Sequence, residues 1–199
     1  MIIYGLNGSP KKDGNTNLLL EGALSAAQEF GAETKLLNVQ EILSVLEEPF
    51  CDACSKPCNK SCYEGTEVEE VFEKIKTIDG LILGSPVYFG MVSGQLKAFW
   101  DLTRDLRKGL HLMNVVGGAI AVGHSRFGGQ ETTIKALHDM MMIQGMIIIG
   151  DGYGDDPGHQ GAAAQDPVTV DGNDIKRAKI LGQRIASIAE ATKGIRKKI

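Results

Sequence analysis

Along the chain, short runs that are apolar on both faces alternate with longer stretches in which apolar residues recur every three or four positions. Tyr4 and the apolar residues before it lead into Gly5-Leu6-Asn7-Gly8-Ser9-Pro10, which reads as a buried strand ended by turn residues. A polar loop from Lys11 to Asn17 follows, and then apolar spacing at Leu20, Leu24 and Ala27, stopped by Gly31. That predicts a helix capped by Asn15 or Thr16. Thr34 to Val39 predicts a second strand, after which periodicity is lost through residues 49–66. It returns with Val68, Val71, Phe72, Ile75 and Ile78 on one helical face, preceded by Glu64, Glu67, Glu69 and Glu70. Acids suit the positive end of a helix dipole, so these glutamates read as a solvated helix start and not as a ligand site.

Gly80 to Pro86 predicts a third strand, followed by a helix entered through Ser93 and carrying Leu96, Phe99, Trp100 and Thr103. Val115 to Val122 predicts a fourth strand, followed by a helix with Ile134, Leu137 and Met141, where Met140 to Met142 read as adaptable core filler. Met146 to Ile149 predicts a fifth strand. From Gly150 to Gly172 the chain is Gly/Pro-rich without periodicity, too long for an ordinary connector and therefore expected to be functional or mobile. Asp174 opens a last helix through Ile175, Ala178, Ile185 and Ala189, whose end Lys193, Arg196, Lys197 and Lys198 would solvate. Five strands apolar on both faces, alternating with five helices, predict a parallel sheet covered on each side. With no internal repeat and no linker, residues 1–199 read as one doubly wound α/β domain, with residues 49–66 as an excursion after the second strand.

Charge and composition narrow the partners. Against 25 Asp and Glu stand 21 Lys and Arg, a net charge of −4, which argues against a nucleic-acid binder with its basic phosphate-contacting surface. No apolar run reaches the roughly 18 residues of a membrane span. Met1-Ile2-Ile3-Tyr4-Gly5 carries no basic signal region or cleavage site, so a mature N-terminus and a cytoplasmic protein are expected. The unusual feature is positional: all four cysteines, Cys51, Cys54, Cys58 and Cys62, fall inside twelve residues.

In open parallel sheets, ligands sit beyond the carboxyl ends of the strands. Three loops in that position are expected to converge on one edge: residues 8–17, 85–94 and 123–130. The first is neither a dinucleotide fingerprint nor a nucleotide P-loop. It offers Ser9, Asn15, Thr16 and Asn17 beside a helix N-terminus, which suits a terminal phosphate, with Lys11 and Lys12 able to add charge. No cysteine has the Arg of a Cys-x5-Arg phosphatase, so the loop is expected to hold phosphate without cleaving it. The second, Ser85-Pro86-Val87-Tyr88-Phe89-Gly90, offers a wall for a flat heteroaromatic ring. The third brings His124, Ser125, Arg126 and Gly128-Gly129, of which Arg126 would favour an anionic reduced ring. Exposed aromatics such as Tyr88, Phe89 and Trp100 fit an interface or a core equally.

Gly8-Ser9-Pro10-Lys11 with Gly14-Asn15-Thr16, Gly84-Ser85-Pro86-Val87-Tyr88-Phe89-Gly90 and Gly128-Gly129-Gln130-Glu131 resemble the flavodoxin-like NADPH-dependent FMN reductase superfamily over nearly the whole chain. The cysteine segment resembles its iron-sulfur flavoprotein branch, and the Gly-Gly-Gln-Glu run is shared with the related WrbA-type quinone reductases. The resemblance implies that Ser9, Lys11, Asn15, Thr16 and Asn17 hold the FMN phosphate and ribityl chain. It implies that Pro86, Val87, Tyr88, Phe89 and Gly90 flank the isoalloxazine, and that His124, Ser125, Arg126 and Gly128 complete the site. It also implies a homodimer or homotetramer in which the cysteine loop of one subunit approaches the FMN of another.

Four soft thiolates on one short loop suit a 4Fe-4S cluster held by Cys51, Cys54, Cys58 and Cys62; structural zinc and a thiol/disulfide switch remain as alternatives. The spacing here leaves three residues between the second and third cysteine and three in the last gap, whereas the family usually has two and then a longer gap. The leading expectation is a flavin-dependent oxidoreductase moving electrons between a ferredoxin-like donor and a small two-electron acceptor. An NAD(P)H-dependent FMN or quinone oxidoreductase is the second, and a non-enzymatic carrier or redox sensor the third. NAD(P)H rests on the family alone, since no nicotinamide fingerprint is present.

Overall fold

In a computed structural model of the chain, residues 1–169 and 172–196 are described; the expectation for Lys197 and Lys198 lies outside them. The elements run β1 (Ile2–Asn7), α1 (Asn15–Glu29), β2 (Glu33–Asn38), α2 (Val39–Leu43), α3 (Glu67–Ile75), β3 (Gly80–Pro86) and α4 (Gly94–Asp101). They continue with α5 (Arg104–Lys108), β4 (Val116–Gly123), α6 (Gln130–Met142), β5 (Ile147–Ile148), β6 (Ala162–Gln165), α7 (Asn173–Ala191) and a 3-10 turn at Lys193–Ile195. All strand pairs are parallel, in the order β2-β1-β3-β4-β5, which is the flavodoxin-like doubly wound arrangement.

Burial follows from the strand sequences. β4 is buried along its whole length and β3 up to Pro86, so helices must cover both faces. On one face Leu19, Leu20 and Ala23 of α1 pack with Ala178, Leu181 and Ile185 of α7 over Ile3, Ile82 and Ile120. On the other, α3, α4 and α6 bring Phe72, Phe99 and Leu137 against Leu6, Leu83 and Ala119. α7 lies so close to α1 that a Cβ on Gly182 would collide with the Ala23 carbonyl oxygen.

Several expectations are corrected here. The N-cap of α1 is Gly14, in extended conformation, with Asn15 and Thr16 already inside the helix. Met141 is fully buried and Met140 packs against the core, but Met142 is 53% exposed because it faces away from the sheet at the end of α6. Trp100 is buried, its indole N–H donating to the Met140 carbonyl at 3.1 Å, so it belongs to the core. The described residues form seven α-helices, not five, since α2 and α5 are single turns too short to show periodicity.

The fifth strand is reduced to Ile147–Ile148, and the stretch beyond it holds β6. β5 pairs with Val116–Gly117 and β6 with Ile120–Gly123, so both occupy the fifth sheet position, with an excursion between them. Arg177 of α7 holds that excursion, donating from Nε to Asp151 at 2.6 Å and from Nη1 to Asp156 at 2.7 Å. Asp151 is 1% exposed.

Candidate functional site

The carboxyl end of β1 turns at Gly8 because the chain passes too close to its neighbours for a side chain. A Cβ there would stand 2.7 Å from the Leu96 Cβ and 2.9 Å from the Gly84 carbonyl oxygen. Gly8 N donates to that carbonyl at 2.8 Å, and Ser93 donates its hydroxyl to the Gly8 carbonyl at 2.5 Å while capping α4 through the Leu96 amide. Ser85 accepts from Ser93 N at 2.9 Å and donates to the Pro86 carbonyl at 2.8 Å. The first two predicted loops are thereby locked together at one edge of the sheet.

In the first loop, Ser9 N donates to Asn7 Oδ1 at 3.0 Å and the Ser9 hydroxyl accepts from Lys11 N at 3.1 Å. Thr16 and Asn17 are buried in the first turn of α1, the Asn17 amide donating to Glu21 at 2.8 Å and accepting from Asn7 at 3.5 Å. Gly14, the N-cap of α1, offers no side chain, so among the described residues the first-turn N–H groups beside the Ser9 loop have no side-chain cap, an arrangement suited to an anion. Lys11 is exposed at the loop, whereas Lys12 is turned onto Glu41 at 2.8 Å.

Val87 N donates to the Val122 carbonyl at 2.8 Å, fixing the second loop to β4. Beyond it Tyr88 and Met91 exchange backbone hydrogen bonds around Phe89 (φ 51°) and Gly90 (φ 78°), as in a hairpin turn with two left-handed residues. Pro86 and Val87 are half-buried, Tyr88 is 43% exposed and Phe89 stands wholly in solvent. A left-handed Phe costs on the order of 1–3 kcal/mol, so the surroundings hold it there.

The third loop reaches the second through Thr132, whose hydroxyl donates to the Gly90 carbonyl at 3.0 Å, and through Gly129, where a Cβ would meet the Gly90 Cα at 2.9 Å. His124, Ser125, Arg126 and Gly128 are all exposed. Arg126 lies 4.9 Å over the ring of Phe127, a second exposed aromatic with positive φ, 58°. A cavity of about 360 Å³ opens between this loop, the start of α6 and β6, lined among others by Arg126, Phe127, Gln130, Thr132, Ala164 and Gln165.

All three loops therefore meet at one edge, and the structure adds residues that the sequence reading missed. Asp166 follows β6 and joins the outer loops: it accepts from Asn15 Nδ2 at 2.6 Å and lies 3.4 Å from His124 Nδ1. Asn15 Oδ1 in turn accepts from Val168 N at 3.2 Å, so this side chain is committed at both ends to the segment after β6. Gln130 is buried and donates to the Ser125 and Ala164 carbonyls at 2.8 and 3.3 Å, buttressing the third loop. The available signal was the position of Asp166 just after a short run on a strand-length spacing; a run of three alanines concealed the strand.

The cysteine segment follows α2 and runs without regular secondary structure along α4 and α5. Phe50 shares a cavity with Gly94 and Ala98 near the start of α4, and Cys58 shares another with Trp100 and Arg104 at its end and beyond. Arg104 donates from Nη2 to the Ser55 carbonyl at 3.1 Å, and its Nη1 lies 3.9 Å from Cys51 Sγ. Tyr63 anchors the far side, 2% exposed and edge-on to Phe72 at 5.1 Å. All four cysteines are free thiols: Cys51 and Cys58 are half-buried, Cys54 and Cys62 exposed. Burial pushes the Cys62 thiol up.

As placed, no three of the described His, Cys, Asp or Glu side chains converge closely enough to hold a metal ion. In type and number, four thiols on one loop of irregular backbone fit a soft-metal centre. No described helix is long and apolar enough to cross a membrane.

Comparisons with known proteins agree with this geometry. Residues 1–158 match the family described as NADPH-dependent FMN reductase. An iron-sulfur flavoprotein of Methanocaldococcus jannaschii is 41% identical over 199 residues, covering 97% of this chain and 100% of that protein. An iron-sulfur flavoprotein of Methanosarcina thermophila is 35% identical, covering 96% of each chain. Among solved structures, the flavodoxin, WrbA-like protein from Agrobacterium tumefaciens superposes with a TM-score of 0.69 at 18% identity, covering 96% of this chain and 97% of that one, a likeness of fold. The chain belongs to the NADPH-dependent FMN reductase family, flavin-dependent oxidoreductases that use FMN, and stands with the members named iron-sulfur flavoproteins.

Proposed function

We propose that the protein, acting as one flavin-binding domain in the cytoplasm, carries electrons from a one-electron, ferredoxin-like donor to a small two-electron acceptor through a 4Fe-4S cluster and FMN. Ser9, Lys11, Asn15, Thr16 and Asn17 would hold the FMN phosphate and ribityl chain. Pro86, Val87, Tyr88, Phe89 and Gly90 would flank the isoalloxazine, with His124, Ser125, Arg126 and Gly128 completing the site. Cys51, Cys54, Cys58 and Cys62 would hold the cluster. The observation that carries the reading is the combination, in one chain, of three strand-end loops tied together at one edge and four thiols on a single loop.

In this scheme the cofactors supply the redox chemistry. The protein positions them, excludes water and tunes their charge, as Arg126 would do for a reduced ring. Gly94 and Asp101 bound an eight-residue helix, about 12 Å long at 1.5 Å per residue, and Cys51 and Cys58 lie beside Arg104, just past its far end from the flavin edge. That separation supports a homodimer or homotetramer in which the loop of one copy serves the flavin of another.

The test is an anaerobic preparation analysed for iron, sulfide and visible absorption. About four irons and four sulfides per chain on top of flavin bands are expected; a yellow protein without iron overturns the cluster. The family's description favours a second reading, an NAD(P)H-dependent FMN or quinone oxidoreductase whose cysteines hold zinc or act as a switch. Rapid flavin bleaching by NADPH in an iron-free protein would establish it.

A further inference from the structure

Beside the cysteine loop lies a groove of about 630 Å³ between that loop, the ends of α4 and α6, and α5. Its cations are Lys56, Arg104, Arg107 and Lys108, and its one carboxylate, Asp101, is already held by Lys97 at 2.7 Å. Asp105, the nearest acid on α5, is taken by Lys60 at 3.2 Å and Lys76 at 4.0 Å. Among the described residues, Lys56, Arg107 and Lys108 have no carboxylate partner, in a chain whose net charge is −4. The groove also has an apolar element: Ile143 lines it 63% exposed, with Met142 beside it 53% exposed. Its floor is ordered, since buried Gln144 donates to buried Thr103 at 2.7 Å. Cys58 forms part of the wall, and Arg104 spans from the groove to Cys51 and Ser55.

We propose that this groove is the docking surface for a small acidic electron-transfer protein, which meets the cysteine loop at Cys58. The inference rests on the reading of that loop as a metal centre. The occupant follows from charge. Unpaired cations around an exposed apolar centre are the complement of an acidic patch, and such complementarity sets encounter rate and orientation more than it sets tightness. Redox encounters also use small interfaces, in keeping with one groove and one short helix. In each encounter the partner loses one electron and the centre held by the loop gains one. Two encounters supply the pair that a two-electron acceptor takes up with two protons from solvent.

The experiment uses the iron- and flavin-loaded full chain and a reduced, strongly acidic 4Fe-4S ferredoxin as probe. Affinity is measured by calorimetry and flavin reduction by stopped flow, both at low and at physiological salt. The wild type is expected to bind at least tenfold more weakly at the higher salt. Arg107→Glu/Lys108→Glu is expected to lose a further tenfold or more in affinity and in second-order rate, with unchanged iron, flavin and reduction by dithionite. The neutral pair Arg107→Gln/Lys108→Gln, an intermediate loss, serves if the reversal fails to fold.

Salt-independent binding that neither variant alters overturns the docking surface while leaving the donor reading intact. A wild type that holds iron yet accepts nothing from ferredoxin overturns both. Micromolar binding of inorganic pyrophosphate that displaces no ferredoxin, or a changed oligomer in light scattering at unchanged ferredoxin affinity, overturns it in favour of a small anion or a second copy.

Discussion

Ser9 stands where the first loop needs a hydroxyl, accepting from Lys11 N and lying before the uncapped first turn of α1. If it also serves the FMN phosphate, Ser9→Ala removes one hydrogen bond to a charged group, worth about 1.5–3 kcal/mol. FMN titrated into apoprotein should then bind at least tenfold more weakly, with Lys12→Ala unchanged because Lys12 is turned onto Glu41. His138 raises a different residue-level question. Burial holds its pKa below the usual 6.5, and its Nε2 is buried without a hydrogen-bond partner among the described residues. The unfolded chain therefore binds a proton near pH 6.5 that the folded chain resists, so stability is complete above that pH and falls as pH drops toward the depressed folded value. Melting temperatures from pH 8 to pH 5 should decline for the wild type and decline less for His138→Gln.

At the scale of elements, the excursion between β5 and β6 depends on Arg177, which reaches from α7 to Asp151 and Asp156. Arg177→Ala leaves the buried Asp151 carboxylate without its counter-ion, with only the hydrogen bond from His159 N remaining, a loss of about 3–5 kcal/mol. Urea unfolding should show it, and hydrogen exchange should rise first in the backbone of residues 150–161. A drop below 1 kcal/mol would mean that the excursion is held by its own turns. The same region marks the limit of what sequence pattern reveals. β3 was legible to both ends because Leu81, Ile82 and Leu83 are apolar on both faces and Pro86 stops the run. β6 was not, because Ala162-Ala163-Ala164 has little strand propensity and is a strand only through its pairing with Ile120 to Val122. Asp166 was lost with it. The cap of α1 was misplaced because Gly14 offers no side chain to recognise, although Asn15 and Thr16 are good cap residues.

For the whole molecule, the question is how the two candidate centres communicate. α4 enters at the flavin edge through Ser93 and ends where Trp100 and Arg104 meet the cysteine loop, so within one chain Cys51 and Cys58 lie at the end of α4 remote from the edge where FMN would lie. At that edge Phe89, Phe127 and Met91 expose apolar surface, and the two phenylalanines hold left-handed backbones with their rings standing in solvent. Surface of this kind is stable when another surface covers it. An assembly in which a second copy closes over the flavin edge would cover these rings and bring a foreign cysteine loop near the flavin. Light scattering should then give a dimer or tetramer, and Met91→Ser/Phe127→Ser, which spares the residues proposed to flank the flavin, should shift it toward monomer. In that monomer dithionite should still bleach the flavin, while reduction arriving through the cluster should slow by an order of magnitude or more. A wild type that is monomeric at micromolar concentration, and in which electrons still pass from cluster to flavin at undiminished rate, would place the whole route within one chain.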